Sequence, residues 1–270
     1  MTSNNSITIL DKIVKKKLLE IADAKSKINV ARLEETEFFD RDCYSLRDFI
    51  LDPEKTGIIA EFKRASPSKG IINNKVTVAE VTRQYANAGA SALSVLTDES
   101  FFGGSLKDLI QARSHNQIPI LRKEFILDEY QIIEAKANGS DIILLIAAIL
   151  QPQEITKLAA LAKSLGMSVL LEVHNKEELN RSLCDELDAV GVNNRNLNDF
   201  TVSVQHFYDL VDLIPDQFLK ISESGISNPQ TIKDLKRAGF NGFLIGENFM
   251  KEENPGKAIH QFVDDVRKSE

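Results

Sequence analysis

Cysteine is nearly absent: Cys43 and Cys184 are the only two, far apart and outside any CxxC or histidine-rich spacing. That excludes a disulfide framework and a sequence-encoded zinc site, and it fits a reducing, cytoplasmic setting. Tryptophan is missing altogether, so tyrosine is the strongest fluorophore of the chain. Basic excess is missing too. The 33 Lys and Arg against 40 Asp and Glu leave a net charge of -7, and no positive field is available to hold a nucleic-acid backbone. No long apolar run occurs. The longest, Ile142 to Leu150, is about half of what a bilayer requires, and the start of the chain is polar, reaching Lys15-Lys16-Lys17 without a signal-peptide core. The four histidines, His115, His174, His206 and His260, show no ligand spacing, and His174 near Glu172 reads as a hydrogen-bonded structural residue.

What is present is the composition of a globular protein: 43% hydrophobic and 27% charged residues over 270, enough for one large α/β domain. Residues 1–50 form a helical extension. Thr8 and Asp11 read as a capping box opening an amphipathic helix with its apolar positions at Leu10, Ile13, Val14, Leu18 and Ile21. A second short helix, Ser45 to Leu51, stops at Asp52-Pro53, and the main unit, 51–270, starts there.

From Gly57 onward a unit repeats: an amphipathic helix, a glycine, two residues, then an apolar run with a polar or small end. Gly89, Gly139, Gly166 and Gly239 mark the plainest copies, each suited to a left-handed helix stop. Eight apolar runs result: Ile58 to Lys63, Ala92 to Asp98, Ile118 to Phe125, Asp141 to Leu150, Ser168 to Asn175, Ala189 to Asn194, Phe218 to Ser224 and Gly242 to Glu247. Strands apolar on both faces and alternating with helices predict a parallel sheet covered by helices. Eight such units favour a closed (β/α)8 TIM barrel, although the pattern is shared by a doubly wound open sheet.

In a barrel, chemistry belongs to the C-terminal strand ends. Period-two geometry puts Glu61 and Lys63 on one face of the first strand, Lys123 and Phe125 on one face of the third, and Asn193 with Arg195 on one face of the sixth; Glu172 ends the fifth. Any one of these could be a satisfied ion pair, but so many inward polar groups together would lower stability without a functional return. Ser222-Glu223-Ser224-Gly225 and Ile245-Gly246-Glu247, in the seventh and eighth units, suit a phosphate cradle, though ordinary turns use the same residues. Phe101 and Phe102, in the second loop, suit either a flat apolar substrate part or the docking of the N-terminal helix.

The stretches Ile59-Ala60-Glu61-Phe62-Lys63-Arg64-Ala65-Ser66-Pro67-Ser68 and Leu121-Arg122-Lys123-Glu124-Phe125-Ile126 strongly resemble the indole-3-glycerol phosphate synthase family. The resemblance extends to Leu171-Glu172-Val173, Gly191-Val192-Asn193-Asn194-Arg195, Glu223-Ser224-Gly225-Ile226 and Leu244-Ile245-Gly246, and so spans nearly the whole chain. It implies conversion of 1-(2-carboxyphenylamino)-1-deoxyribulose 5-phosphate to indole-3-glycerol phosphate, carbon dioxide and water in tryptophan biosynthesis, without metal or cofactor. It further implies Lys123 as general acid for ring closure, Glu172 in the acid-base chemistry of dehydration, Glu61 as their partner, and Lys63 assisting or holding an anionic substrate group. Asn193, Arg195 and Glu223 are implied as substrate contacts, with Phe102 and Phe125 on the anthranilate ring. Ser224, Gly225, Gly246 and the main-chain N–H of Glu247 face the phosphate, and Ser66 closes from the first loop. The expected partner is a small-molecule phosphosugar-anthranilate, with no nucleic acid and no membrane, for a chain acting as a monomer or weak homodimer. Two rival readings are a sugar-phosphate isomerase or Schiff-base aldolase with Lys123 as nucleophile, and a catalytically idle barrel whose N-terminal helices serve for docking.

Overall fold

The computed structural model describes residues 8–195 and 205–268, with the side chains of 205 and 206 excepted, so that His206 lies outside the described residues. Eight parallel strands close into a barrel: β1 (Ile58–Phe62), β2 (Ala92–Leu96), β3 (Ile120–Lys123), β4 (Ile142–Ile146), β5 (Ser168–Val173), β6 (Ala189–Asn193), β7 (Leu219–Glu223) and β8 (Gly242–Ile245). β8 returns to β1 in the register Ile58 opposite Phe243 and Ala60 opposite Ile245. The open-sheet alternative is thereby excluded. Gly89, Gly139, Gly166 and Gly239 all take positive φ, so the repeat read from the sequence is a repeat of helix stops.

Both strand faces are buried, which explains the near-continuous apolar runs. One face packs on the helices: Ile58, Ala60 and Phe62 belong to the large outer core with Val81, Tyr85 and Phe249. The other fills the barrel: Ile59, Leu121, Leu144, Leu170, Ile221 and Leu244 form the interior layers. The polar residues of the strand ends continue this inner face, one turn of the pleat above the last apolar layer.

From Thr8 to Leu51 the chain passes from the mouth of the barrel to its base. Helix α1 (Ile9–Lys27) begins as expected, with Thr8 and Asp11 making a reciprocal capping box. Its buried face differs from the expected one. Ile13 and Ile21 are buried, but Leu18 is 55% exposed and Lys17 takes the inward position. Spacing explains this: 13, 17 and 21 are successive i, i+4 positions on one stripe, and Leu18 is rotated away from it. Helix α2 (Val30–Glu34) lays Leu33 on Tyr130 and Ala137. Helix α3 (Leu46–Leu51), capped by Ser45, plugs the lower end of the barrel with Leu46 and Ile50, which join the interior layer of Ile59 and Ile221.

Between α2 and α3 the chain is tied down by Asp141, whose fully buried carboxylate accepts from Arg113 (2.7 Å), Arg41 (2.8 Å) and the backbone N–H groups of Tyr44 and Ile120 (both 2.8 Å). Removing it strands two guanidinium groups in a dry site. Asp141→Ala is expected to lower unfolding free energy by about 3–5 kcal/mol, the usual consequence of deleting one partner of a buried ion pair, as read by urea denaturation.

Candidate active site

The barrel register brings the polar strand ends together. Glu61 lies opposite Ser94, Lys123 opposite Leu96, Glu172 opposite Ile146, and Asn193 opposite Glu223. All face one pocket at the C-terminal mouth, which is lined by Glu61, Lys63, Ser66, Phe102, Lys123, Phe125, Glu172, Asn193, Arg195, Glu223 and Ser224. An adjoining pocket adds Gly225, Gly246 and Glu247. Every site residue expected from the sequence therefore borders one continuous mouth.

At its centre the Lys123 ammonium meets Glu223 at 2.5 Å and Glu172 at 3.1 Å. Burial disfavours the ammonium, but the carboxylates of Glu223, Glu172 and Glu61 together outweigh burial and hold its pKa above that of an ordinary lysine. Glu61 is engaged elsewhere. Its carboxylate pairs with Lys63 at 2.8 Å and accepts from the Ser94 hydroxyl at 3.2 Å, so it acts on Lys123 through space, and Glu223 is the nearer partner.

The carboxylates shift in opposite senses. Burial pushes Glu172 up, but Lys123 and then His174 more than offset it, and its pKa falls below the ordinary value. Burial likewise raises Glu61, and Lys63 and Lys123 bring it below. Glu223 is raised: burial and repulsion from Glu172 exceed the pull of Lys123. Two carboxylates sharing one ammonium settle into one charged and one more readily protonated partner.

Asn193 organises the next shell. It donates to Glu172 (3.1 Å) and accepts from the Ser224 hydroxyl (2.9 Å) and the Arg195 N–H (3.0 Å). Ser224 has φ 70°, the one positive φ at a non-glycine among the described residues, and Gly225 follows at 78°. Both residues line the mouth. Gly246 precedes the short helix Glu247–Met250, and a Cβ there would lie 2.7 Å from a carboxylate oxygen of Glu61, so β8 could not approach Glu61 with any larger residue. The Glu247 side chain is not turned away from the mouth: it faces Arg195 at 3.4 Å and Lys69 at 3.8 Å, so its charge is offset by two cations. Arg195 also donates to the Ser68 hydroxyl at 2.9 Å, joining the first loop to the end of β6.

The opposite wall is apolar. Phe102 and Phe125 meet with ring centroids 6.0 Å apart, alongside Leu144 and Ile146. Ile9, Leu10 and Ile13 of α1 complete it. These α1 residues were not singled out as site residues. Their signal was present in the amphipathic pattern, but only the fold reveals that part of the stripe faces the mouth rather than the barrel wall. His174 lies 3.3 Å from Glu178 and 3.5 Å from Glu172, in keeping with the structural role expected for it. No group of three or more His, Cys, Asp or Glu among the described residues is arranged to hold a metal ion.

Fold and mouth define the class: a (β/α)8 barrel whose C-terminal mouth sets an ammonium and its carboxylates beside an apolar wall. The sequence profile described as indole-3-glycerol phosphate synthase matches residues 10–262. A protein of that name from Bacteroides thetaiotaomicron is 45% identical over 255 residues, covering 94% of this chain and 97% of its own. One from Verminephrobacter eiseniae is 43% identical over 259 residues, covering 93% and 97%. The chain belongs to the indole-3-glycerol phosphate synthase family. Among solved structures, the tryptophan synthase α-subunit of Legionella pneumophila superposes with a TM-score of 0.60 at 12% identity over 83% of this chain and 97% of that one, a likeness of fold alone.

The opposed shifts predict a pH signature. Glu61 and Glu172 contribute stability that is present above the unfolded carboxylate pKa of about 4.3 and is lost as the pH falls through their lower folded values. Glu223 does the reverse: its contribution is present below about 4.3 and is lost as the pH rises through its higher folded value. Glu223→Gln is therefore expected to gain on wild type in melting temperature as the pH is raised from about 4.3 toward neutrality. Parallel melting curves against pH would show the assignment wrong.

Proposed function

We propose that the chain catalyses ring closure, decarboxylation and dehydration of 1-(2-carboxyphenylamino)-1-deoxyribulose 5-phosphate to indole-3-glycerol phosphate, the indole-forming carboxy-lyase step of tryptophan biosynthesis. The observation that carries the proposal is the buried, charged Lys123, held by two carboxylates between an aromatic wall and a strained Ser224-Gly225 turn.

In this reading the anthranilate ring lies against Phe102 and Phe125, while the phosphate takes the N–H groups of Ser224, Gly225, Gly246 and Glu247, with Ser66 closing over it. Holding both ends folds the substrate, so that the ring carbon bearing the carboxylate approaches the ketone carbon. As that carbon–carbon bond forms, Lys123 donates a proton to the carbonyl oxygen, which becomes a hydroxyl. The ring is now an iminium. It accepts the electron pair released when the carboxylate leaves as carbon dioxide, so the substrate supplies its own electron sink and the chemistry needs no cofactor. Decarboxylation restores the benzene ring; the hydroxyl then leaves as water with a second proton from Lys123, reprotonated from solvent, while Glu172 takes the proton from the ring carbon beside the nitrogen, which completes the indole. Glu61 pairs with Lys63 and helps to keep Lys123 charged, Lys63 meets an anionic group of the substrate, and Asn193, Arg195 and Glu223 contact its polar middle.

Residues 1–50 serve here as an extension of the 51–270 barrel, since α1 walls the mouth and α3 plugs the base. The reading also carries a cytoplasmic setting, no nucleic-acid or membrane partner, and a monomer or weak homodimer. In support, the chain is acidic and no described helix is long and apolar enough to cross a membrane. A Schiff-base aldolase is disfavoured because a nucleophilic lysine must be neutral, and Lys123 is held as its cation.

The absence of tryptophan makes the assay direct: authentic substrate is expected to yield indole fluorescence over a tyrosine background. No product would overturn the proposal. Lys123→Met and Glu172→Gln are each expected to lower kcat about a hundredfold or more at temperatures where both variants remain folded. Borohydride added during turnover is expected to leave Lys123 unmodified.

A further inference from the structure

Lys17 is the residue of α1 whose placement neither the apolar wall nor the proposed chemistry uses. Its side chain is 6% exposed, although Leu18 and Leu19 beside it are open to solvent. The ammonium lies 2.9 Å from Asp98, 2.9 Å from Glu124 and 2.7 Å from Glu20. It does not border the pocket.

Both buried carboxylates belong to the active-site rim. Asp98 follows β2 and caps the short helix Glu99–Phe102, accepting from the Phe101 N–H at 2.7 Å; that helix carries Phe102. Glu124 directly follows Lys123, and its side chain accepts from the Phe125 N–H at 2.8 Å and from the Thr97 hydroxyl at 2.7 Å. One cation thus joins the ends of β2 and β3 at the points where Phe102, Lys123 and Phe125 depart. We propose that Lys17 is a positioning residue for catalysis, its ammonium fixing the strand ends that aim Lys123 and the Phe102–Phe125 wall. The inference rests on the synthase reading given above.

A simple anchor would not need this arrangement. The extension is already held by Lys25 on Asp128 at 2.8 Å, by the Tyr130 hydroxyl on the Ile28 carbonyl at 2.9 Å, by Arg41 on Asp141 and by the α3 plug. A desolvated ion pair adds little net stability, but it allows few geometries. Without Lys17, Glu124 would keep only the Arg122 cation, at 3.8 Å, and the turns that carry Phe102 and Phe125 would lose the cation they share.

The test uses the full chain with Lys17→Met, Lys17→Arg and, as control, Lys16→Met. Lys17→Met is expected to lower kcat by about tenfold or more, because catalysis falls steeply with small misplacement of an acid, and to weaken binding of the fluorescent indole product. Lys17→Arg restores most of the rate, and Lys16→Met matches wild type. A lowered melting temperature with kcat and KM unchanged would overturn the proposal, since that is the result of an anchor. Should Lys17→Met fail to fold, the charge-matched double variant Lys17→Gln with Glu124→Gln takes its place: reduced kcat in the folded protein supports the proposal, and full kcat overturns it. A readout independent of turnover is competitive acetylation of Lys123, followed by peptide mass spectrometry. Its reactivity is expected to rise in Lys17→Met, and unchanged reactivity overturns the proposal even if wild type makes no indole product, an outcome that would count against the synthase reading alone.

Discussion

A half-buried ammonium kept protonated by the carboxylates around it is the constraint on which the rest depends. Lys123 sits in a dry mouth where burial opposes its charge, and the charge survives because Glu223 and Glu172 touch it while Glu61 stands behind. Those carboxylates must in turn be held. Glu172 is fixed by Asn193, and Glu61 by Lys63 and Ser94. The inner polar layer is therefore one electrostatic unit, and it stands on an apolar barrel interior rigid enough to keep its members at hydrogen-bond distance.

The unit has two distinct sides. On one, two phenylalanines and aliphatic residues from β4 and α1 offer a flat, water-poor surface. On the other, Ser224, Gly225 and Gly246 line the adjoining pocket together with Lys63, Arg195 and Lys69. On the proposed function, the ring end of the substrate meets the first side and the phosphate the second, with the reacting carbonyl beside Lys123.

Much of this was legible before any coordinates. The glycine stops and double-faced apolar strands point to the barrel, and period-two alternation carries Glu61, Lys63, Lys123 and Asn193 inward. Three particulars were not legible, each for a physical reason. Glu223 was read as a substrate contact; alternation from Leu219 and Ile221 places it inward, but only closure of the barrel puts it against Lys123 on β3. Leu18 was counted among the apolar positions of α1, and Lys17 was given no place on its buried face. The helical stripe through Ile13 and Ile21 favours Lys17, but a lysine is tolerated there only because Asp98 and Glu124 arrive from distant strands. For Glu247 only the main-chain N–H was assigned, because a carboxylate repels phosphate; its side chain stands beside Arg195 and Lys69, which offset its charge.

The first fifty residues also bear on how the molecule is assembled during synthesis. Ile50 on α3 packs where a side chain on Gly242 would lie, and Arg47 bonds the carbonyl of Gln217. These partners leave the ribosome long after α3 does. An early segment thus reaches its place late: the apolar face of α3 waits until the final strand has emerged, whereas α1 finds Asp98, Glu124 and Asp128 in the first half of the barrel.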